Sequence, residues 1–128
     1  MMNAVIYTRD NEEYSVIKRL LGGEADISEI HRAVLDGHGH YAVRYDIAII
    51  AIDGAEGMEI MLEVSDRYPD TQIIWITEDK NFAGMAMRRH ICGFIPRPYS
   101  ADTVSAAVRE AARMSDKNTT WHFGRKRV

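Results

Sequence analysis

The sequence predicts an α/β fold in which a parallel sheet carries helices on both faces. Three short apolar runs, at residues 4–7, 47–52 and 73–76, are rich in isoleucine and end at polar or turn residues. Each run is continuous rather than alternating, which is typical of strands buried on both faces of a parallel sheet. Apolar residues at helical spacing occupy the segments between the runs. Because parallel strands are joined by right-handed crossovers, this alternation predicts a doubly wound sheet.

Two more strands complete the predicted sheet. The run Gly93-Phe94-Ile95 ends at a proline, which has no N–H to donate to a neighbouring strand. Another strand is expected near residues 25–27, followed by a helix and then by a loop over residues 36–40.

Five helices are predicted from residues three and four positions apart, because this spacing places side chains on one face of a helix. The first helix ends at Gly22-Gly23, the second before Gly37 and the third before Pro69. Ser100 is placed to be the N-cap of the last helix. The residues at helical spacing are Tyr14, Ile17, Leu20 and Leu21; Ile27, Ile30, Val34 and Leu35; Met58, Met61, Leu62 and Ser65; Phe82, Met85, Ala86 and Arg89; and Val104, Ala107, Val108, Ala111 and Ala112.

The composition is that of one soluble domain. The 128 residues are 46% hydrophobic and 27% charged, which is enough apolar material for one core. Sixteen basic and nineteen acidic side chains give a net charge of −3, so bulk charge favours neither nucleic acid nor an anionic membrane. The single cysteine, Cys92, and the absence of a long apolar run predict a cytoplasmic protein. Residues 1–114 are predicted to form the domain, and residues 115–128 a linker leading out of it.

Side chains able to do chemistry follow the predicted strands. Arg9 and Asp10 come after the first strand, Asp53 after the third, Thr77 at the end of the fourth and Arg97 after the fifth. Because ligands bind beyond the carboxyl ends of parallel strands, we expect these side chains to meet at one rim. A carboxylate there can accept a phosphoryl group or bind a hard metal ion, while a hydroxyl and a cation can hold phosphate oxygens. Two simpler interpretations stay open, in which Asp53 is part of a turn and Asp10 is a helix N-cap.

Over residues 3–114 this pattern resembles the receiver domain of two-component response regulators. In that family an acid pair ends the first strand and an acceptor aspartate ends the third. A threonine or serine ends the fourth strand, and Lys-Pro ends the fifth. The resemblance implies a flavodoxin-like five-stranded sheet with the strand order 2-1-3-4-5. The matching positions here are Arg9-Asp10, the segment 51–53, Gly57-Met58-Glu59-Ile60 at the start of the family's third helix, Thr77, Arg97-Pro98 and the aromatic Tyr99.

The sequence departs from the family where the chemistry is done. Arg9 replaces one metal-binding acid, and Arg97 replaces the phosphate-binding lysine. Counting five residues on from Asp46 reaches Ala51, so the candidate acceptor Asp53 lies two residues later. Since Mg²⁺ is usually held by one or two carboxylates, we expect the arginine at position 9 to weaken metal binding. Its guanidinium is predicted to pair with Asp10 or Asp53 in place of the ion, and Asp53 to be shared with Arg9 or Arg97.

The resemblance implies a signal-transduction receiver module of a response regulator rather than an enzyme. We expect it to act through protein–protein contacts, with weak or absent phosphorylation and no cofactor. The expected partners are a histidine kinase or another signalling protein and a second copy of the chain, and no membrane. The surface implied for contact is formed by the fourth helix, the fifth strand and the fifth helix. The residues predicted to lie on it are Met85, Met87, Arg88, Tyr99 and Val104.

The alternative is a competent receiver that a histidine kinase phosphorylates at Asp53, with Mg²⁺ bound by Asp10 and Asp53. Thr77, Arg97 and Tyr99 would then respond to the phosphoryl group. Such a protein would regulate transcription through a DNA-binding output domain outside this chain, of which residues 115–128 would be the start. A third interpretation, a small-ligand-binding flavodoxin-like domain, lacks a phosphate-binding glycine loop after the first strand.

Overall fold

A computed structural model describes residues 2–24, 26–37 and 39–127, with side chains described up to residue 115. The five strands form one parallel sheet in the order 2-1-3-4-5, which confirms the predicted flavodoxin-like topology. The elements in chain order are β1 (Met2–Tyr7), α1 (Asn11–Gly22), β2 (Ile27–Arg32), β3 (Ile47–Ile50), α2 (Gly54–Arg67), β4 (Gln72–Thr77), α3 (Ala83–Arg88), β5 (Gly93–Pro96) and α4 (Ala101–Arg127).

The sheet separates two apolar layers. Successive side chains of β1 point to opposite faces, as the period of a strand requires. Ala4 and Ile6 pack in one layer with α1 and α4, whereas Val5 and Tyr7 pack in the other with α2 and α3. Because β1, β3 and β4 are covered on both faces, their sequences show continuous apolar runs.

Trp75 fixes the loop between β3 and α2. Its side chain is fully buried in β4, and its Nε1 donates to the carbonyl oxygen of Ile52 at 3.1 Å. The indole is stacked on Phe82 and meets Phe94 edge-on, with ring centroids 5.4 and 5.6 Å away. Buried indole N–H groups require an acceptor, so this hydrogen bond ties the loop that precedes α2 to the centre of the sheet.

The prediction of a helix containing Ile27, Ile30, Val34 and Leu35 is wrong. Ile27 and Ile30 lie on β2, and the part of the chain described between β2 and β3 contains a 3₁₀ turn at Gly39–Tyr41 but no α-helix. Met2 pairs with Ile27 and Asn3 with Glu29, so β2 carries one extra residue at this point. A bulge of this kind puts residues three apart on the same face of a strand, which imitates helical spacing. The strand therefore begins at Ile27, later than predicted, and Ala25 lies outside the described residues.

The last helix begins where the sequence predicts and runs further. The Ser100 hydroxyl accepts from the backbone N–H of Thr103 at 3.2 Å, which confirms it as a capping residue. α4 then continues to Arg127 without a break near residue 115. The division between a domain at 1–114 and a linker at 115–128 therefore stays a prediction, and Val128 lies outside the described residues. None of the helices described combines the length and the apolar character needed to cross a membrane.

Candidate functional site

A cavity of about 440 Å³ opens at the carboxyl end of the sheet. Four of the residues predicted for the rim line it, namely Arg9, Asp10, Asp53 and Arg97. Thr77 lies at the end of β4 and is fully buried. The structure therefore brings together side chains that follow four different strands, as predicted from the ends of parallel strands.

Arg97 is the central cation of this rim. Its two terminal NH₂ groups donate to the two carboxylate oxygens of Glu13, with Nη2 3.0 Å from Oε1. Its Nε donates to Oδ1 of Asp53 at 3.2 Å. Although burial lowers the pKa of Arg97, these two carboxylates outweigh burial and raise it above its ordinary value. One guanidinium thus joins α1 to the loop after β3, with all three of its nitrogens used.

Glu13 has hydrogen-bond donors on both of its oxygens. Besides Arg97, the hydroxyl of Tyr99 donates to Oε2 at 2.8 Å, and the hydroxyl of Thr8 donates to Oε1 at 3.3 Å. The Glu13 side chain is only 9% exposed. A buried carboxylate is stabilised only when it is paired and hydrogen-bonded, and Glu13 meets both conditions.

Asp53 faces the rim rather than capping its helix. It precedes α2 in the N-cap position but makes no capping hydrogen bond. Its Oδ1 accepts from the backbone N–H of Glu78 at 2.8 Å as well as from Arg97. Burial opposes ionisation, but the Glu78 amide, Arg97 and the Thr77 hydroxyl outweigh it and lower the pKa of Asp53. The next residue, Gly54, has a φ of +69°, as in a turn. Asp53-Gly54 is therefore a turn pair, and the Asp53 side chain also lies in the rim.

The predicted partner of Arg9 is wrong. Arg9 forms two hydrogen bonds to Glu56 in the first turn of α2, from Nε at 3.0 Å and from Nη2 at 2.5 Å. It pairs with neither Asp10 nor Asp53, and the carboxylate shared with a guanidinium is Asp53 with Arg97. The two side chains are 59% and 44% exposed, so this pair links the loop after β1 to the first turn of α2 at the surface of the rim.

Asp10 is the N-cap of α1. Its Oδ1 accepts from the backbone N–H groups of Glu12 and Glu13, at 2.8 and 3.1 Å. This is the simpler of the two interpretations that the sequence left open, and Asp10 lines the rim cavity as well. One of the two Asp10 carboxylate oxygens is thereby used by the helix.

Tyr99 lies beside Arg97, with its ring half-buried. Burial, followed by the hydrogen bond to Glu13 and the charge of that carboxylate, raises the pKa of Tyr99 to about 12. The hydroxyl is therefore a hydrogen-bond donor over the physiological range. The Arg97–Pro98 peptide bond that precedes it is cis.

Two carboxylates that line the rim, Glu13 and Glu56, were not predicted. The spacing from Asp10 to Glu13 is that of a capping box, in which the glutamate turns back to the N-cap N–H. In the structure the Asp10 N–H donates to the Thr8 hydroxyl at 3.2 Å instead, and Glu13 turns to Arg97. The sequence spacing alone would make Glu13 a capping residue, and only the contact with Arg97 reveals its place in the rim.

The rim does not fit Mg²⁺ as the family's acid pair would. One oxygen of Asp10 caps a helix, both oxygens of Glu13 accept from Arg97, and one oxygen of Asp53 pairs with the same guanidinium. Mg²⁺ is usually held by one or two carboxylates together with waters, and a guanidinium paired with those carboxylates opposes its binding. Over the described ranges, no three histidine, cysteine or acidic side chains are grouped so as to hold a metal ion.

Solved structures of receiver domains share this fold. A CheY-like receiver domain protein from Methanospirillum hungatei JF-1 is 14% identical with a TM-score of 0.75, over 92% of this chain and 98% of that one. A receiver domain protein from Clostridium thermocellum is 19% identical with a TM-score of 0.71, over 91% and 98%. A structure from Rhodopirellula baltica described as adenylate cyclase is 16% identical with a TM-score of 0.80, over 99% and 98%.

No protein-family profile matches the sequence, and no curated protein matches it either. At identities below one fifth, likeness between structures establishes the fold. The chain therefore has the fold of response regulator receiver domains, and its rim departs from the receiver pattern at Arg9 and Arg97.

Proposed function

We propose that this protein is a signal-transduction receiver module that acts through protein–protein contacts and does not depend on phosphorylation. The observation that carries the proposal is the Arg97 guanidinium, which binds Glu13 and Asp53 at once. A phosphoryl group on Asp53 would add about −1.5 to −2 charges beside a cation that is already neutralised. In a receiver the new charge of the phosphoryl group drives the change of conformation. Here Arg97 is already paired with two carboxylates in the resting state, so little of that drive is left.

The rival function is a phosphorylated receiver with Asp53 as its acceptor. One carboxylate oxygen of Asp53 is held by the Glu78 amide and Arg97, and the side chain is 46% exposed. That exposure leaves a route for a phosphodonor, so the two functions differ in how the rim responds to a donor and Mg²⁺. Under either function the partners would be a histidine kinase or another signalling protein, and any action on DNA would need an output domain outside this chain.

We expect beryllium fluoride with Mg²⁺ to leave the wild-type domain unchanged. Beryllium fluoride imitates a phosphoryl group on aspartate. At the rim Arg9 stands where the family has a metal-binding acid, and Arg97 already pairs with Asp53. The measurement is the amide NMR spectrum with and without the reagent, followed at Thr77 and along β5. Large shifts there that Asp53→Asn abolishes would show a phosphorylation switch and overturn the proposal.

The surface for partner contact is assigned to the side of the domain formed by α3, β5 and α4. Met87 on α3 is 76% exposed, and the exposed Arg88 follows it. Met85 and Tyr99 are half-buried, whereas Val104 is fully buried. The prediction that Val104 lies on this surface is wrong, because the helical stripe that contains it packs against the sheet.

Charge at Met87 is expected to weaken association without unfolding the domain. Met87→Glu should change the free energy of unfolding by no more than about 0.5 kcal/mol, since the side chain is exposed. It should also shift the sedimentation of any dimer toward the monomer. Val43→Glu is the matched control, because Val43 is 51% exposed in the segment that precedes β3. An unchanged sedimentation profile for Met87→Glu of a dimeric wild type would remove this surface as the contact.

A further inference from the structure

We propose that the Glu13 carboxylate is an intramolecular anion that fills the anion-binding position of the rim and holds Arg97 and Tyr99 in the place of a bound oxyanion. The inference rests on the proposed function, because it explains how the rim keeps one arrangement without a phosphoryl group. It assigns to a helix residue a role for which sequence patterns give no signal.

The donors around Glu13 form a complete oxyanion site. Two guanidinium NH₂ groups of Arg97, the Tyr99 hydroxyl and the Thr8 hydroxyl all donate to its two oxygens. Arginine binds carboxylates and phosphates through the same paired donors, so this set would suit a phosphate oxygen equally well. The donors come from the ends of β1 and β5 and meet at a residue of α1 that lines the rim cavity.

Glu13 is a positioning residue, because its buried carboxylate holds Arg97 and Tyr99, which come from a distant part of the chain. Its side chain is 9% exposed and Arg97 is 20% exposed, and the two residues are 84 positions apart in the chain. The hydrogen bond from Tyr99 holds that ring against α1 and away from solvent. Removing the carboxylate would therefore release Tyr99 and leave Arg97 with donors that an external anion can use.

The test measures the binding of inorganic phosphate to Glu13→Ala and to wild type by calorimetric titration. Phosphate should bind Glu13→Ala at least about tenfold more tightly, because the variant exposes charge-assisted donors that the wild type keeps occupied. The double variant Glu13→Ala/Arg97→Ala should lose this gain. Glu12→Ala is the matched control, since it removes an equal charge from an exposed neighbouring position. Equal binding to wild type and Glu13→Ala would overturn the inference.

A measurement on the wild type keeps the inference testable if Glu13→Ala does not fold. A guanidinium held at both NH₂ groups rotates slowly, so the Arg97 Nη protons should give separate NMR signals. A single averaged signal for Arg97 would contradict the inference. Failure of this inference leaves the proposed function standing as long as wild type ignores beryllium fluoride, whereas a wild-type response to that reagent contradicts the proposed function itself.

Discussion

Gly57→Ala is expected to lower the free energy of unfolding by about 3 kcal/mol or more, because the new methyl group overlaps backbone in the core. A Cβ at Gly57 would lie 1.9 Å from the carbonyl oxygen of Ile52 and 2.9 Å from Nε1 of Trp75. Those two atoms are the acceptor and donor of the hydrogen bond that fixes the loop before α2. Relief of the overlap would therefore break that bond and displace Asp53.

Urea denaturation followed by circular dichroism measures this loss. Gly84→Ala is the matched control, because Gly84 lies inside α3 and a Cβ there meets nothing within 4 Å. That substitution should stabilise the fold by about 0.5–1 kcal/mol, the usual difference between alanine and glycine in a helix. If Gly57→Ala stayed within about 1 kcal/mol of wild type, the close approach of α2 to the β3 loop would be wrong.

Arg97→Ala is expected to cost about 3 kcal/mol of stability, because it leaves the Glu13 carboxylate buried without a cation. Asp53 loses a partner in the same variant. The amide shifts of Glu78 and Thr77 should therefore change as well as the unfolding midpoint. The cost of Arg97→Ala should shrink in a Glu13→Gln background, since the neutral side chain needs no counter-ion, and a double-mutant cycle measures the difference.

The control for Arg97 is Arg113→Ala, which removes an exposed ion pair with Glu110 on α4. Exposed pairs contribute little, so this change should stay within about 0.5 kcal/mol. Equal losses for Arg97→Ala and Arg113→Ala would contradict the central role of Arg97.

The Arg97 variant should also respond differently to acid. In wild type the pKa of Asp53 is lowered, so its contribution to stability is present above the ordinary pKa of aspartate near 3.8 and is lost as the pH falls through the lowered value. Without Arg97 one cause of the lowered pKa is absent, so the acid loss that comes from Asp53 should be smaller and should be complete at a higher pH. Unfolding midpoints measured between neutral and acid pH would show the shift.

The sequence alone determined the three central strands of the sheet and the position of the rim. Continuous apolar runs identified β1, β3 and β4. These strands are covered on both faces, so neither face meets water and polar residues do not alternate with apolar ones. Parallel strands with right-handed crossovers then required the residues after each strand to meet at one edge. Asp53, Thr77 and Arg97 were found in this way, since each lies at the end of a predicted strand or just after it.

Tertiary structure decided β2 and the choice of partners within the rim. The extra residue in β2 gave Ile27 and Ile30 helical spacing, and only pairing with β1 reveals a bulge. Arg9 binds Glu56 rather than the predicted Asp10 or Asp53. Arg97 binds Glu13, which lies 84 positions away in the chain. An arginine pairs with the carboxylate that the packed helices bring close to it, because the attraction between charges falls with distance. The number of residues between two positions does not tell how far apart they lie in the folded protein. Sequence reasoning therefore placed Asp53, Thr77 and Arg97 at the rim. The packing of α1 and α2 on the sheet brought Glu13 and Glu56 there and decided which charges neutralise one another.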